Sequence, residues 1–502
     1  MNKTHTAIIS VAKGPSGPND AYLFHLHTFL TNAAQHSSAA AHALEDHSGD
    51  VHTGQLTNMV KLLQTNYRPY FIFGAGSNEH QQLLLNYSDA NTVQEVNELT
   101  EMLLVVPRRR GKDEKNDTNN DNDDHIPQSL HAGGGHSALL TNGGELYLWG
   151  WNDSGQLGRR DEDFTPLSSP ALNVVHPLPD IKVEKVDLGH THTLVIEKES
   201  GRLFGFGENG RGQVSGCVDS DSEYTTMNHV PQTPIKLSDE YFVDVAAGLF
   251  HSAAITKGGE LITWGCGRFG QCLRPADDGG AQSSTVGRWH PSDGSKLIQV
   301  ACGRRHTVVL DEHGRIWTLG ENKYGQLGRK TVEYSASNTN IEPQLVEGPL
   351  GRVDSGCYAI HCGWSHISAL CRENDSEACT TLYGWGRNDK GQLGTISPAQ
   401  QQNHVSVPQV LKHDSLSIKA ACCGAESSHI LDIDGNIHST GWNEHGNLAI
   451  GRTYNGSADS DCDECSMTWM ATSGARAVAP PPNKAEKKLF AAGGAHLITM
   501  TI

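Results

Sequence analysis

Six histidines are the side chains of this sequence best suited to acid–base or metal chemistry. His136, His192, His251, His306, His366 and His496 each stand three residues after a glycine in a recurring phrase, Gly-x-x-His. Imidazole titrates near neutral pH and is the commonest metal ligand. A metal centre, however, gathers three or four ligands around one ion, and these histidines recur at steps of about 60 residues, one per copy of a longer repeat. A seventh copy carries Ser427 at the same position, with His429 displaced by two. The expectation is therefore structural: a buried imidazole that hydrogen-bonds the inner strands of its own repeat together, since buried polar groups are almost always satisfied.

Other reactive residues are sparse. Cys302, Cys362, Cys422 and Cys423 sit in apolar runs and read as buried thiols that pack as small hydrophobes. Cys462 and Cys465 form a Cys-x-x-Cys in an acidic loop, SADSDCDECSM, without a second pair or a histidine at ligand spacing, so free thiols are expected rather than zinc. The same stretch begins like a calcium loop. It has Glu464 where the tight turn needs glycine and Met470 where a bidentate glutamate belongs. The sequence holds no Gly-x-Ser-x-Gly elbow, no Walker-type phosphate loop, no His-Glu-x-x-His and no nucleophile with an assigned base. No catalytic residue, cofactor or metal is expected, and any catalysis would be exerted on a bound protein.

The elements that carry the histidines follow from the rest of the repeat. Its clearest copy, GGGHSALLTNGGELYLWGWNDSGQLG, runs from Gly133 to Gly158. An apolar run follows the histidine. Next come a tight-turn signal (Asn142-Gly143, Gly258-Gly259, Asp434-Gly435), a second run rich in aromatics, a glycine, and a closing Gly-Gln-Leu-Gly. Two apolar runs joined by Asn-Gly or Gly-Gly read as an antiparallel hairpin, because the favoured two-residue turns need positive φ. The aromatics before the hairpin glycine, Phe73, Trp149, Phe206, Trp264 and Trp385, with Leu319 in one copy, are expected to pack between neighbouring sheets.

The two ends of the repeat region are incomplete in complementary ways. YFIFGAGSNEHQQLLL, from Tyr70, is the second half of a copy, and FAAGGAHLITMTI, from Phe490, is the first half. Together they make one unit, which closes a ring and leaves no open seam. The predicted fold is all-β, a seven-bladed β-propeller over 69–502 whose terminal half-repeats share one blade. Residues 1–68 are low in complexity and carry seven irregularly spaced histidines, and an Asn/Asp-rich insertion spans about 107–127, so both are expected to be disordered. A further long loop is expected at about 452–488. The net charge of −18, with Arg108, Arg109 and Arg110 as the one basic run, disfavours nucleic acid. No run is long enough to span a membrane, and neither a signal nor a transit pattern opens the chain, so a monomer in the cytoplasm is expected, with the nucleus as the alternative compartment.

The repeated phrase, Gly-x-x-His, apolar run, Asp/Asn-Gly, then Tyr-x-Trp-Gly-x-Asn-x-x-Gly-Gln-Leu-Gly, resembles the repeat of the regulator-of-chromosome-condensation family over nearly all of 70–502. ITKGGELITWGCGRFGQC, from Ile255, and GWNEHGN, from Gly441, are similar to the secretion-regulating, exchange-factor branch of that family. The resemblance implies a regulatory protein-binding propeller, a guanine nucleotide exchange factor for a small GTPase. A yeast member implies the alternative, a scaffold for a factor in tRNA wobble-uridine and diphthamide modification. Light-sensing members need several tryptophans at the Gly-x-x-His turns, and only Trp364 occupies one here, so a photoreceptor is not expected. The family's geometry implies that the two residues inside each Gly-x-x-His ring one face. Leu249, Phe250, Arg304, Arg305, Trp364 and Glu426 concentrate the large side chains there, and they are the expected partner-binding residues because aromatic and arginine side chains anchor interfaces.

Overall fold

The structure, a computed structural model, describes residues 67–80, 82–83, 95–107, 124–158, 174–178, 180–214, 240–274, 286–330, 340–372, 380–394, 403–411, 417–450, 465–472 and 487–502. The expectations for 1–66, for most of the Asn/Asp-rich insertion and for Cys462 lie outside the described residues.

Strands β1 (Tyr67–Ser77) and β2 (Glu95–Pro107) open the chain. The second blade is β3 (Pro127–Ala132), β4 (His136–Thr141) and β5 (Leu146–Gly150), extended by a bridge between Leu148 and Val175. The third is β6 (Val183–Leu188), β7 (His192–Glu197) and β8 (Leu203–Gly207). The fourth is β9 (Phe242–Ala247), β10 (His251–Thr256), β11 (Leu261–Gly265) and β12 (Gly287–Trp289). The fifth is β13 (Leu297–Cys302), β14 (His306–Asp311), β15 (Ile316–Gly320) and β16 (Asn340–Leu345). The sixth is β17 (Cys357–Cys362), β18 (His366–Arg372), β19 (Thr380–Arg387) and β20 (His404–Val410), and the seventh is β21 (Ile418–Cys423), β22 (Ser427–Asp432), β23 (Ile437–Trp442) and β24 (Cys465–Ala471). Finally β25 (Lys488–Ala492) and β26 (His496–Thr501) return to the start, giving the sheet order β2-β1-β26-β25.

The ring is therefore closed by both ends, with Gly74 opposite Ile498 and Gly76 opposite His496. Two boundaries differ from the sequence expectation. The first strand begins at Tyr67, and the supposed loop at 452–488 contains β24, the outermost strand of the seventh blade, pairing Cys465 with Trp442 and Ala471 with His438. An edge strand packs on one side only, so its sequence lacks the apolar signal of an inner one.

What holds neighbouring blades together is a buried carbonyl at the Gln of each Gly-Gln-Leu-Gly. The Asn and Gln side chains first fold that loop on itself: Leu157 N–H donates to Asn152 Oδ1 at 2.9 Å and Ser154 N–H to Gln156 Oε1 at 3.0 Å. The same pair of bonds recurs at Asn322 and Gln326. The Gln main-chain oxygen is left facing the next blade, where a hydroxyl or an indole reaches it. Thr193 Oγ1 donates to Gln156 O, Thr307 Oγ1 to Gln271 O and Ser428 Oγ to Gln392 O. Trp149 Nε1 donates to Gln82 O and Trp385 Nε1 to Gln326 O, while Gln213 O receives both Ser252 and Trp264. Trp149, Trp264 and Trp385 are fully buried, as expected for inter-blade packing.

The repeated histidines extend this contact, and here one expectation is corrected. They do not tie the strands of their own blade. Each bonds the hydroxyl one blade onward: His136 Nε2 to Thr193 Oγ1 (3.0 Å), His192 to Ser252 (3.0 Å), His251 to Thr307 (3.1 Å), His366 to Ser428 (3.1 Å) and His496 to Ser137 (2.9 Å). At Thr193, Ser252, Thr307 and Ser428 the hydroxyl spends its one proton on the Gln carbonyl, so the imidazole is the donor and its Nε2 carries the hydrogen. The glycine of Gly-x-x-His gives room for the ring: a Cβ at Gly248 would lie 2.6 Å from His251 Cε1 and 2.7 Å from the Gly303 carbonyl.

Two interfaces depart from the pattern. His306 meets Ile367 where a hydroxyl would stand, and neither ring nitrogen has a partner. Ser427 replaces the histidine of the seventh blade and bonds His429, which bonds Ser439 in turn.

Burial holds all six imidazoles far below their ordinary range, to about 3 for His136, His192 and His306 and about 4 for His251, His366 and His496. The unfolded chain binds protons below pH 6.5 and the folded chain does not. The stability is thus fully present above that pH and is lost as pH falls toward 4. At about 1.4 kcal/mol per pH unit for each group, six such groups offset a typical stability of about 5–15 kcal/mol within one to two units. A cooperative acid transition is expected at about pH 5, and a melting temperature that stays level between pH 6.5 and 4.5 would contradict it. The orphan gives an internal control: His251→Ala and His306→Ala open equal voids, so His251→Ala should cost about 1 kcal/mol more, read by chemical denaturation at pH 7.5.

Candidate functional site

The seven Gly-x-x-His turns lie side by side around the central channel, joined by main-chain bonds at six of their seven seams. Gly134 N–H donates to Gly189 O, His190 to Gly248 O, Arg304 to Trp364 O, Trp364 to Ala425 O, Ala425 to Gly493 O and Gly494 to Gly133 O. The glycine at the end of each third strand clamps the turn from outside. Gly265 has φ +91° and a Cβ there would fall 2.7 Å from Phe250 O, while the following residue, Cys266, donates its N–H to that same oxygen. Only glycine both adopts this backbone and leaves the approach open. The face is thus a rigid ring on which side chains are presented.

The first residue of six of the turns borders the channel, and in the fifth Arg304 is exposed instead. The channel has a volume of about 420 Å³ and is bordered by His190, Leu249 and Trp364 at the turns and by Asp187, Asp244 and Cys362 deeper down. Leu249 is 9 % exposed, so it lines the channel and offers little to a docked protein. Cys302, Cys362, Cys422 and Cys423 are corrected in the other direction: they stand half-buried on the channel wall rather than packed inside a blade. Burial pushes their thiols up, well above the usual range for Cys302, Cys362 and Cys422, which keeps them protonated and weakly nucleophilic. Among the described residues no group of three His, Cys, Asp or Glu is arranged to hold a metal ion.

Arg304 is exposed, and Phe250, Arg305, Trp364 and Glu426 are half-buried. The structure places Arg304 with Trp364, and Arg305 and Glu426 each in a separate set of contacts. Arg304 lies over Trp364 at 5.3 Å, and Trp364 reaches across the channel mouth to His190, edge-on at 6.2 Å. The contact continues through Trp151, 6.0 Å from His190, to His80, which stacks on Trp151 at 4.6 Å. Arg305 lies 4.2 Å over Phe269 and pairs with Glu321 at 3.2 Å. Glu426 is held by Arg387, which also pairs with Asp389 at 2.7 Å and lies over Tyr324 at 5.2 Å.

Trp151, Phe269 and Tyr324 are residues the sequence reading missed. They sit in the loops after the third strand, not inside Gly-x-x-His, and the signal for them was an aromatic directly after the conserved glycine or two residues after the Asn position.

The described residues form a closed propeller that displays arginines stacked on aromatics around one channel mouth. The chain belongs to the RCC1-like domain family, which matches residues 70–498. It is 31% identical over 335 residues to the ultraviolet-B receptor UVR8 of Arabidopsis thaliana, covering 66% of this chain and 68% of that one. It is 28% identical over 391 residues to the secretion-regulating guanine nucleotide exchange factor of Mus musculus, covering 74% and 75%. Among solved structures, Prp20p of Saccharomyces cerevisiae superposes with a TM-score of 0.63 over 88% of this chain and 94% of that one, at 18% identity, which shows the shared fold.

The geometry separates surface from core. Trp364→Ala removes a half-buried side chain from the channel mouth and should cost about 1 kcal/mol, whereas Trp385→Ala removes a fully buried ring with its bond to Gln326 and should cost about 3–5 kcal/mol. Equal losses of melting temperature would place Trp364 in the core.

Proposed function

We propose that this protein is a regulatory propeller that binds a small GTPase on the Gly-x-x-His face and promotes guanine nucleotide exchange. The observation that carries the reading is the pair of arginine–aromatic clusters on this face, the exposed Arg304 on the half-buried Trp364 and the half-buried Arg305 on Phe269. Side chains of this kind, preorganised by stacking, lose little entropy on docking and form the hot spots of protein interfaces. Support from kinship comes from the mouse and bovine relatives, both named secretion-regulating guanine nucleotide exchange factor.

No group on the face is placed to do bond chemistry, so exchange has a binding mechanism. The propeller holds the nucleotide-free form of the GTPase more tightly than the loaded form, and by linkage this lowers the affinity of the GTPase for its nucleotide by the same factor. A rigid face suits that task, because a scaffold that moved with the GTPase would dissipate the differential affinity.

The test uses a panel of purified small GTPases loaded with a fluorescent guanine nucleotide. One of them should release it at least tenfold faster with the full-length protein, and should bind it more tightly without nucleotide than with it. Trp364→Ala or Arg304→Ala should weaken that complex by about 1–3 kcal/mol while leaving the fold intact. If no GTPase in the panel binds, or if binding never discriminates between the nucleotide-free and loaded states, exchange activity is excluded.

A further inference from the structure

A sevenfold ring poses a problem for any partner: its backbone offers seven nearly equivalent orientations. The seven loops that follow the third strand of each blade remove this degeneracy. In the positions between their Asn and Gly, the seventh, closing and second blades carry Glu444, Glu79 and Asp153, all acidic and all exposed. The third, fourth and fifth blades carry Arg211, Arg268 and Lys323, all basic and all exposed. The sixth blade lies between the arcs and is internally balanced, with Asp389 paired to Arg387 and Lys390 beside it.

These loops flank the turns on the same face, as the stacking of Arg305 on Phe269 and the contact of Trp151 with His190 demonstrate. At the turns Arg304 of the fifth blade adds to the basic arc, whereas Arg305 and Glu426 are each held in an ion pair, with Glu321 and Arg387. The carboxylates inside the basic arc are already engaged: Glu208 accepts the Thr191 hydroxyl at 2.6 Å and Glu321 pairs with Arg305. In a chain with 57 acidic and 39 basic residues, an arc of three exposed cations is against the average charge of the surface.

We infer that this charge dipole sets the azimuth of the partner: the docked protein presents an acidic patch to Arg211, Arg268 and Lys323 and a basic patch to Glu444, Glu79 and Asp153. The inference rests on the preceding reading only in taking this face as the docking surface. The partner is a folded protein with complementary charges on opposite sides of its contact area. Exposed charges of this kind act mainly on encounter: they accelerate association, suppress wrong orientations and are screened by salt.

Three full-length proteins test it: the unmodified chain, a basic-arc reversal (Arg268→Glu with Lys323→Glu) and an acidic-arc reversal (Glu79→Lys with Asp153→Lys). The first probe is a fluorescein-labelled Glu-rich decapeptide containing one Trp. At about 20 mM salt it should bind the unmodified protein despite the overall negative charge, lose at least tenfold in affinity with the basic-arc reversal, and be released at about 0.5 M salt, where the screening length is only a few ångströms. No binding, or binding that survives the basic-arc reversal, overturns the dipole. The second probe is the GTPase selected above. Either reversal should slow its association at least tenfold at low salt with little change in dissociation. If Trp364→Ala abolishes GTPase binding while both reversals associate at the unmodified rate, the face docks the GTPase but the dipole does not orient it, and the inference fails alone. If the peptide responds as stated and no GTPase binds, the dipole stands and the exchange-factor reading fails.

Discussion

One buried main-chain carbonyl in each of six blades, at the Gln position of the Gly-Gln-Leu-Gly loop, is the constraint on which the ring depends. No strand ladder joins the sheets of neighbouring blades, so a carbonyl turned out of its own loop and into the interface would cost about 1–3 kcal/mol if left bare. The pattern of substitutions within this single chain shows how strictly that is avoided. Where Phe206 and Leu319 replace tryptophan and remove the indole donor, Thr193 and Thr307 supply a hydroxyl. Where Ile367 removes the hydroxyl, Trp385 supplies the indole. All six Gln carbonyls, at positions 82, 156, 213, 271, 326 and 392, retain a donor from the following blade.

The histidine is the adjustable part of the same interface. It donates to the hydroxyl that donates to the carbonyl, and it is tolerated only neutral. Between the seventh and closing blades both members of the pair are absent together, Ser427 standing for histidine and Leu497 for the hydroxyl, and Ser427 turns inward to His429. Between the fifth and sixth blades only the hydroxyl is gone, and His306 is left without a partner in a fully buried site. Losing both members leaves no unsatisfied group. Losing one leaves a desolvated imidazole, at an interface that Gln299 bridges by donating Nε2–H to Ile360 O at 3.0 Å and accepting the Ile360 N–H at 2.9 Å. Apolar packing compensates there, since Ile367 and Trp385 join one cluster with Ile360, Leu370 and Leu393.

The repeat made the architecture legible because each strand is inner, central or outer in the same place every time, and seven noisy copies of one signal reinforce each other. Closure was legible from the two half-repeats for the same reason. The direction of the histidine bonds was not, because a sequence period reports which residues are equivalent and not how far apart equivalent positions stand in the ring. Strand β24 was hidden for a different reason: an outermost strand packs little apolar surface, so SADSDCDECSM and the residues after it read as loop. At the candidate site, Arg304, Arg305 and Trp364 stand out in the sequence because they interrupt a run of small residues at the turns. Trp151, Phe269 and Tyr324 do not, because their loops lie outside Gly-x-x-His, and the burial of Leu249 is not legible because the repeat does not say which turn residue borders the channel.

The interface network and the loop positions divide the ring into a part that is chemically committed and a part that is open to variation. Every residue of the interface network is buried and chemically committed, so variation there is limited to swaps that keep the carbonyls satisfied. The loop positions between Asn and Gly contribute nothing to that network, because the Asn and Gln side chains and the main chain alone fold the loop. Glu79, Asp153, Arg211, Arg268, Lys323 and Glu444 stand outside that network on exposed positions, and the inter-blade bonds do not require three acids to be adjacent and three bases to oppose them. Random assignment of charges to free positions would scatter the signs around the ring. Their segregation into two arcs is a feature the fold does not explain, and an oriented encounter with a bipolar surface is the physical task such an arrangement performs.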